Sequence, residues 1–187
     1  VGPMRAALLF AESLHSQGHL PDTHSVSVTL FGSLGATGPG HGTTNAIVSG
    51  LSGETPEKCD PEAVLTAWDS AVANGKWKVL NHEIKFSESD FSFQPLIRLE
   101  KHSNAMKFKA LTADNQVLLE QTYYSVGGGF VEADHKLDRP ERPDAPYSFK
   151  NAEHLLSLTV EQEKTIAEIA WENEVFLHGE LPLLTKL

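Results

Sequence analysis

The chain has 187 residues, 40% of them hydrophobic, with a formal net charge of -10; that is one domain plus a remainder, with enough chain to bury a core. The acidic balance argues against nucleic acid as a partner, because phosphate binding needs concentrated Lys and Arg, and no apolar run reaches the length of a membrane span. One cysteine, Cys59, excludes an intrachain disulfide and suits a reducing, cytoplasmic setting.

Val1 stands where an initiator Met would, and Thr185-Lys186-Leu187 ends without an evident terminator, so a piece of a longer protein is expected. Pro3 to Leu14 reads as a helix: Pro3 suits a first turn, Ala6, Leu9, Phe10 and Leu14 share a face, and Gly18 and Pro21 end it. Ser25 to Phe31 alternates polar and apolar residues and is β-branched, so it reads as a strand. Gly32 to Gly42 reads as a glycine-rich loop, and Thr43 or Thr44 as the cap of a helix through Val48.

Asp60-Pro61-Glu62 opens a further helix as cap, proline and acid. It carries Val64, Leu65, Trp68, Ala71 and Val72, and Asn74-Gly75 stops it. Strands are expected at Lys78–Phe86, Leu96–Lys101, Ala105–Leu111 and Val117–Val126, with Asp114-Asn115 turning the last pair into a hairpin. Gly127 to Gly129 read as a turn. Asp134 to Pro146 is charged and proline-bearing, a linker. Helices follow near Asn151–Leu158 and Val160–Phe176, with Thr159 and Gln162 as a capping box for the second. Ile166, Ile169, Ala170 and Val175 on it need a partner surface, most simply a further domain. The acids Glu161, Glu163 and Glu168 read as a solvated face.

The segment Gly32-Ser33-Leu34-Gly35-Ala36-Thr37-Gly38-Pro39-Gly40-His41-Gly42-Thr43 is the most informative. It lies between a strand and a helix start, where backbone N–H groups and the helix dipole favour an anion. Gly35 and Gly40 have Walker A spacing, but His41 replaces the lysine and Gly42 the Ser or Thr. Gly38, Gly40 and Gly42 run GxGxG rather than GxGxxG, so the dinucleotide fingerprint fails too. A small carboxylate is a better candidate than a triphosphate. His41, between two glycines, is open to close approach and can take a proton near neutral pH; the competing reading is an exposed turn histidine. His15, His19, His24, His82, His135, His154 and His178 show no metal-ligand spacing, and a hydrolase using Ser33 and His41 lacks a Gly-x-Ser-x-Gly elbow.

Four blocks in order, Val1-Gly2-Pro3-Met4-Arg5-Ala6-Ala7, Phe31-Gly32-Ser33-Leu34 through Gly40-His41-Gly42-Thr43, His102-Ser103-Asn104-Ala105-Met106, and Tyr123-Tyr124-Ser125-Val126-Gly127-Gly128-Gly129-Phe130, resemble the N-terminal β portion of bacterial iron–sulfur-dependent L-serine dehydratases. Tyr147-Ser148-Phe149 and Asn173-Glu174 resemble that family's connector into its catalytic portion. The resemblance implies conversion of L-serine to pyruvate and ammonia with a [4Fe-4S] cluster. Cys59 alone cannot ligate such a cluster, so its ligands are expected outside this chain, in a catalytic portion that is fused or separate. A serine-rich stretch ending His-Thr is expected before Val1, and the chain alone is expected to be inactive.

By the same resemblance His41 is the leading base, with Thr43, Gly40 and Gly42 toward the substrate carboxylate, and a homodimer or two-chain assembly is implied. The β portion is also similar to the amino-acid-binding regulatory domain of some phosphoglycerate dehydrogenases, which brings in His102 and Asn104 as ligand contacts; the plainer reading is that they satisfy a turn. The expected fold is α+β, a mixed or antiparallel sheet packed with helices over 1–133, a linker over 134–146, and a helical connector with the start of the catalytic portion over 147–187. The rival function is a regulatory amino-acid-binding module without catalytic residues.

Overall fold

The computed structural model describes residues 1–38, 40–135 and 145–178, and the chain divides into two compact units, Val1–Leu137 and Asp138–Leu187. In the first unit, α1 (Gly2–Ser16) takes Pro3 in its first turn and buries Ala6, Ala7, Phe10, Ala11 and Leu14 at helical spacing. β1 (Ser25–Phe31) buries Val26, Val28 and Leu30 while Ser25, Ser27 and Thr29 stay half-buried, the period-2 pattern of a strand with one covered face. Then come α2 (Gly32–Thr37), α3 (Thr43–Leu51), α4 (Pro61–Asn74), β2 (Lys76–Val79), β3 (His82–Lys85), β4 (Phe91–Gln94), β5 (Ala105–Leu111), β6 (Val117–Gly127) and β7 (Phe130–Ala133).

Five strands form one mixed sheet in the order β4-β1-β5-β6-β7, and β2 with β3 makes a separate hairpin. β1 runs parallel to β4 and antiparallel to β5, and the remaining pairs are antiparallel. The fold is therefore α+β with a mixed sheet packed with helices, as expected. The register sets Val28 beside Phe108, Leu30 beside Met106 and Met106 beside Tyr123; all five are fully buried. α1 packs over β5, β6 and β7, and α3 lies against α1. Phe10 stacks on Phe108 at 5.2 Å, and Trp68 meets Phe86 and Phe91 edge-on at 5.4 and 4.8 Å, geometries that follow the ring quadrupole. On the other face, Glu120 bridges Lys107 and Lys109 at 3.1 and 2.7 Å.

Several elements differ from the sequence reading. The start of the glycine segment is helical: Gly32 to Thr37 forms α2, because Ser33, Leu34, Ala36 and Thr37 tolerate a helical turn between the glycines. Neither Thr43 nor Thr44 caps α3; Gly42, left-handed at φ 65°, takes that position without a side-chain bond. The single strand expected at Lys78–Phe86 is the β2–β3 hairpin, reversed at Leu80 with φ 52°. Leu96–Lys101 is not a strand: Ile97 N–H turns back to Gln94 O at 3.2 Å, and its carbonyl accepts from Gly32 N–H at 2.9 Å. The short edge strands β4 and β7 lacked enough alternation to be read. Asp60 caps α4 through Glu62 N–H at 3.0 Å, as expected.

In the second unit, α5 (Ala152–Glu161) and α6 (Ile166–His178) are separated by Gln162–Thr165. The capping box is not at Thr159 and Gln162 but at Thr165 and Glu168, which exchange bonds of 2.7 and 3.2 Å. Glu168 is thus a capping group, while Glu161 and Glu163 are exposed. Lys164 Nζ reaches Tyr147 Oη at 2.7 Å and both Glu172 oxygens. Asn173 exchanges two bonds with the Tyr147 backbone at 2.9 and 3.0 Å. Ile169 is fully buried, whereas Leu156, Val160, Ile166, Trp171 and Phe176 are exposed. Most of the expected linker, 136–144, lies outside the described residues. Among the described residues no helix is long and apolar enough to cross a membrane.

Candidate functional site

The register brings the C-terminal ends of β1 and β6 to the N-terminal end of β5: Leu30 pairs with Met106, and Ala105 with Tyr124. The chain leaving β1 there must turn at once. Gly32 does so at φ 56°, where a Cβ would collide with the Ser103 carbonyl oxygen. Only glycine fits such a contact in a left-handed conformation. Gly35 and Gly38 are also pressed against backbone, at Leu30 O and Leu34 O, each 2.7 Å from where a Cβ would stand.

α2 ends at Thr37, and His41 follows on the turn before α3. His41 is exposed. Its N–H donates to Thr37 O at 3.0 Å, and its Nδ1 lies 3.3 Å from the same carbonyl. Nothing lies within 4 Å of a Cβ placed on Gly42, and Gly40 is exposed. The imidazole is thus exposed and flanked in sequence by two residues without side chains. Thr43 is buried and its N–H donates to Gly38 O at 3.0 Å. α3 has no side-chain cap, and the dipole at its start favours an anion.

His102 and Asn104 form a second group. Asn104 N–H donates to His102 Nδ1 at 3.1 Å, and Ser33 Oγ donates to Asn104 Oδ1. Both are half-buried in the loop before β5. Among the described residues no hydrogen bond joins His41 directly to His102 or Asn104. Ser33 links the groups through α2, a role the sequence reading missed. The only signal was its place beside Gly32 in the Phe31–Leu34 block. Thr37, whose Oγ1 donates to Ser33 O at 2.8 Å, was missed as well.

The surroundings of this end are tied down. Lys101 Nζ donates to Ala133 O at 2.7 Å and lies 5.1 Å from the Tyr124 ring centroid. Tyr124 Oη donates to Asp134 at 2.9 Å; burial, and then that carboxylate, push the Tyr124 phenol up to about 12. Burial raises the Tyr123 phenol as well. Arg5 donates to Gly129 O at 3.0 Å and pairs with Glu57, whose carboxyl that hydrogen bond lowers. The three glycines expected as a turn join β6 to β7 with positive φ at each. The Val1 side chain and Arg5 fill the space beside Gly129.

Residues 1–136 match the family described as serine dehydratase beta chain. The chain is 39% identical over 180 residues to an L-serine dehydratase of Streptomyces coelicolor, covering 93% of this chain and 40% of the relative. It is 37% identical over 179 residues to an L-serine dehydratase of Mycobacterium bovis, covering 93% of this chain and 38% of the relative. It is 33% identical over 183 residues to L-serine dehydratase 2 of Escherichia coli, covering 96% and 40%. The chain spans about two fifths of the length of these curated relatives.

Proposed function

The chain belongs to the serine dehydratase beta chain family, and on that premise we propose that it works within an enzyme that converts L-serine to pyruvate and ammonia. In this reading His41 is the base. The imidazole accepts the α-hydrogen of serine as a proton, and the electron pair left on Cα becomes the Cα–Cβ double bond as hydroxide leaves Cβ. The aminoacrylate so formed tautomerises and hydrolyses to pyruvate and ammonia. The start of α3, with Gly40, Gly42 and the Thr43 hydroxyl, receives the carboxylate.

The observation that carries the reading is an exposed imidazole between two glycines at an uncapped helix start. A base needs that access, and a carboxylate is favoured at that helix start.

The resemblance gives departure of the hydroxyl to a [4Fe-4S] cluster. The described residues do not fit one: Cys59 is the chain's one cysteine, its Sγ 3.7 Å from Pro56 O, and no group of three or more His, Cys, Asp or Glu is placed to hold a metal among them. The catalytic portion, fused or separate, and a dimeric assembly belong to the same proposal.

A second reading is an amino-acid-binding regulatory module. It is favoured by the His102–Asn104–Ser33 group, which has no direct bond to His41. One substitution separates the two readings. In the complete protein, His41→Ala is expected to lower kcat for L-serine by ~10²-fold or more, the loss of a general base. Unchanged turnover with altered activation by serine would favour the regulatory module instead.

A further inference from the structure

α2 is six residues long, yet it touches both groups of candidate residues. We propose that Ser33 is a positioning residue, and that α2 carries the state of the His102–Asn104 loop to the His41 ring. This rests on the reading of His41 as the base, and adds how that base is held.

Three contacts fix the first turn of α2 to the loop. Gly32 N–H donates to Ile97 O at 2.9 Å. Gly32 lies against the Ser103 carbonyl with no room for a Cβ. Ser33 Oγ donates to Asn104 Oδ1. Asn104 in turn donates its N–H to His102 Nδ1 at 3.1 Å. Along the helix, Thr37 Oγ1 donates to Ser33 O at 2.8 Å. At its far end, Thr37 O accepts the His41 N–H at 3.0 Å and faces His41 Nδ1 at 3.3 Å. An unbroken succession of hydrogen bonds therefore runs from one imidazole to the other through Asn104, Ser33 and Thr37.

The chemistry gives this succession two states. An ammonium group arriving at Asn104 donates to the same carboxamide oxygen that Ser33 uses. Loss of the Ser33 bond then tilts a six-residue helix whose last carbonyl orients His41. If ligand at Asn104 alters His41, a ligand at His41 alters affinity at Asn104 by the same factor. Spatial succession alone is not coupling, and a double-mutant cycle measures it.

The test uses the complete protein without added ligand and follows histidine ring signals by NMR. The His41 signal is identified by its loss in His41→Gln. The expected result is that Ser33→Ala and Asn104→Ala each shift the His41 signal, and that the double variant shifts it no further. Ser33→Thr, which keeps the hydroxyl, returns it toward the wild-type position. His82, bonded to Thr23 O at 3.0 Å, keeps its signal throughout and reports an intact fold. An unmoved His41 signal in either single variant, or shifts that add in the double, overturns the proposal. In the complete protein, Ser33→Ala is expected to lower kcat about tenfold with little change in KM, as a displaced base does. Failure of the reading of His41 as the base shows elsewhere, as full turnover in His41→Ala, and leaves the ring-signal cycle untouched.

Discussion

At the scale of single residues, Gly32 and the two tyrosines make the sharpest demands. Gly32 combines a left-handed backbone with a carbonyl pressed against its Cα. Gly18 is left-handed too, at φ 76°, but has nothing within 4 Å of a Cβ. Gly18→Ala is expected to destabilise by about 1 kcal/mol, the left-handed penalty alone. Gly32→Ala should exceed it by ~2 kcal/mol, because backbone must move as well. Urea midpoints at unchanged slope measure both.

Tyr124 supplies a pH test. Its folded value of about 12 lies above the ordinary 10, so the folded state holds its proton longer than the unfolded chain does. The stability it contributes is complete below about 10 and is lost as pH rises toward 12. Tyr123, raised by burial, adds in the same direction. Stability measured across that window should fall, and Tyr124→Phe should flatten the slope.

At the scale of elements, caps and alternation decided what could be read. Asp60-Pro61-Glu62 announced α4, and its Asp60 bond at 3.0 Å is in place. Asp60→Ala is expected to cost about 1 kcal/mol, read as a lower thermal or urea midpoint. β1 and β5 were legible because each of their faces meets a different environment, which forces period-2 alternation. β4 and β7 have four residues each, too few for a period to emerge. They are strands because a neighbour offers a free edge, a tertiary cause that local sequence does not carry. The break between α5 and α6 was misplaced for a related reason. Thr159 and Thr165 both stand three residues before a residue able to close a capping box, Gln162 and Glu168, and sequence alone could not choose. Of the candidate site, His41 and its glycines were legible as an open loop. The link through Ser33 and Thr37 was not, because it depends on α2 being helical and on Asn104 arriving from 71 positions away.

At the scale of the whole molecule, the first unit presents two polar clusters joined by one short helix, and the second places Lys164, Tyr147 and Glu172 in contact. The chain belongs to the serine dehydratase beta chain family and covers about two fifths of the length of its relatives. Activity is therefore a property to be measured on the complete protein. The most direct measurement is loss of α-deuterium from labelled L-serine, followed by mass spectrometry in water with wild-type and His41→Gln protein. With His41 as the base, wild-type protein is expected to release the label along with pyruvate. The variant should bind L-serine with similar affinity yet release neither label nor pyruvate above ~1% of the wild-type rate. Label release that continues at the wild-type rate in His41→Gln would contradict the assignment of proton abstraction to this imidazole.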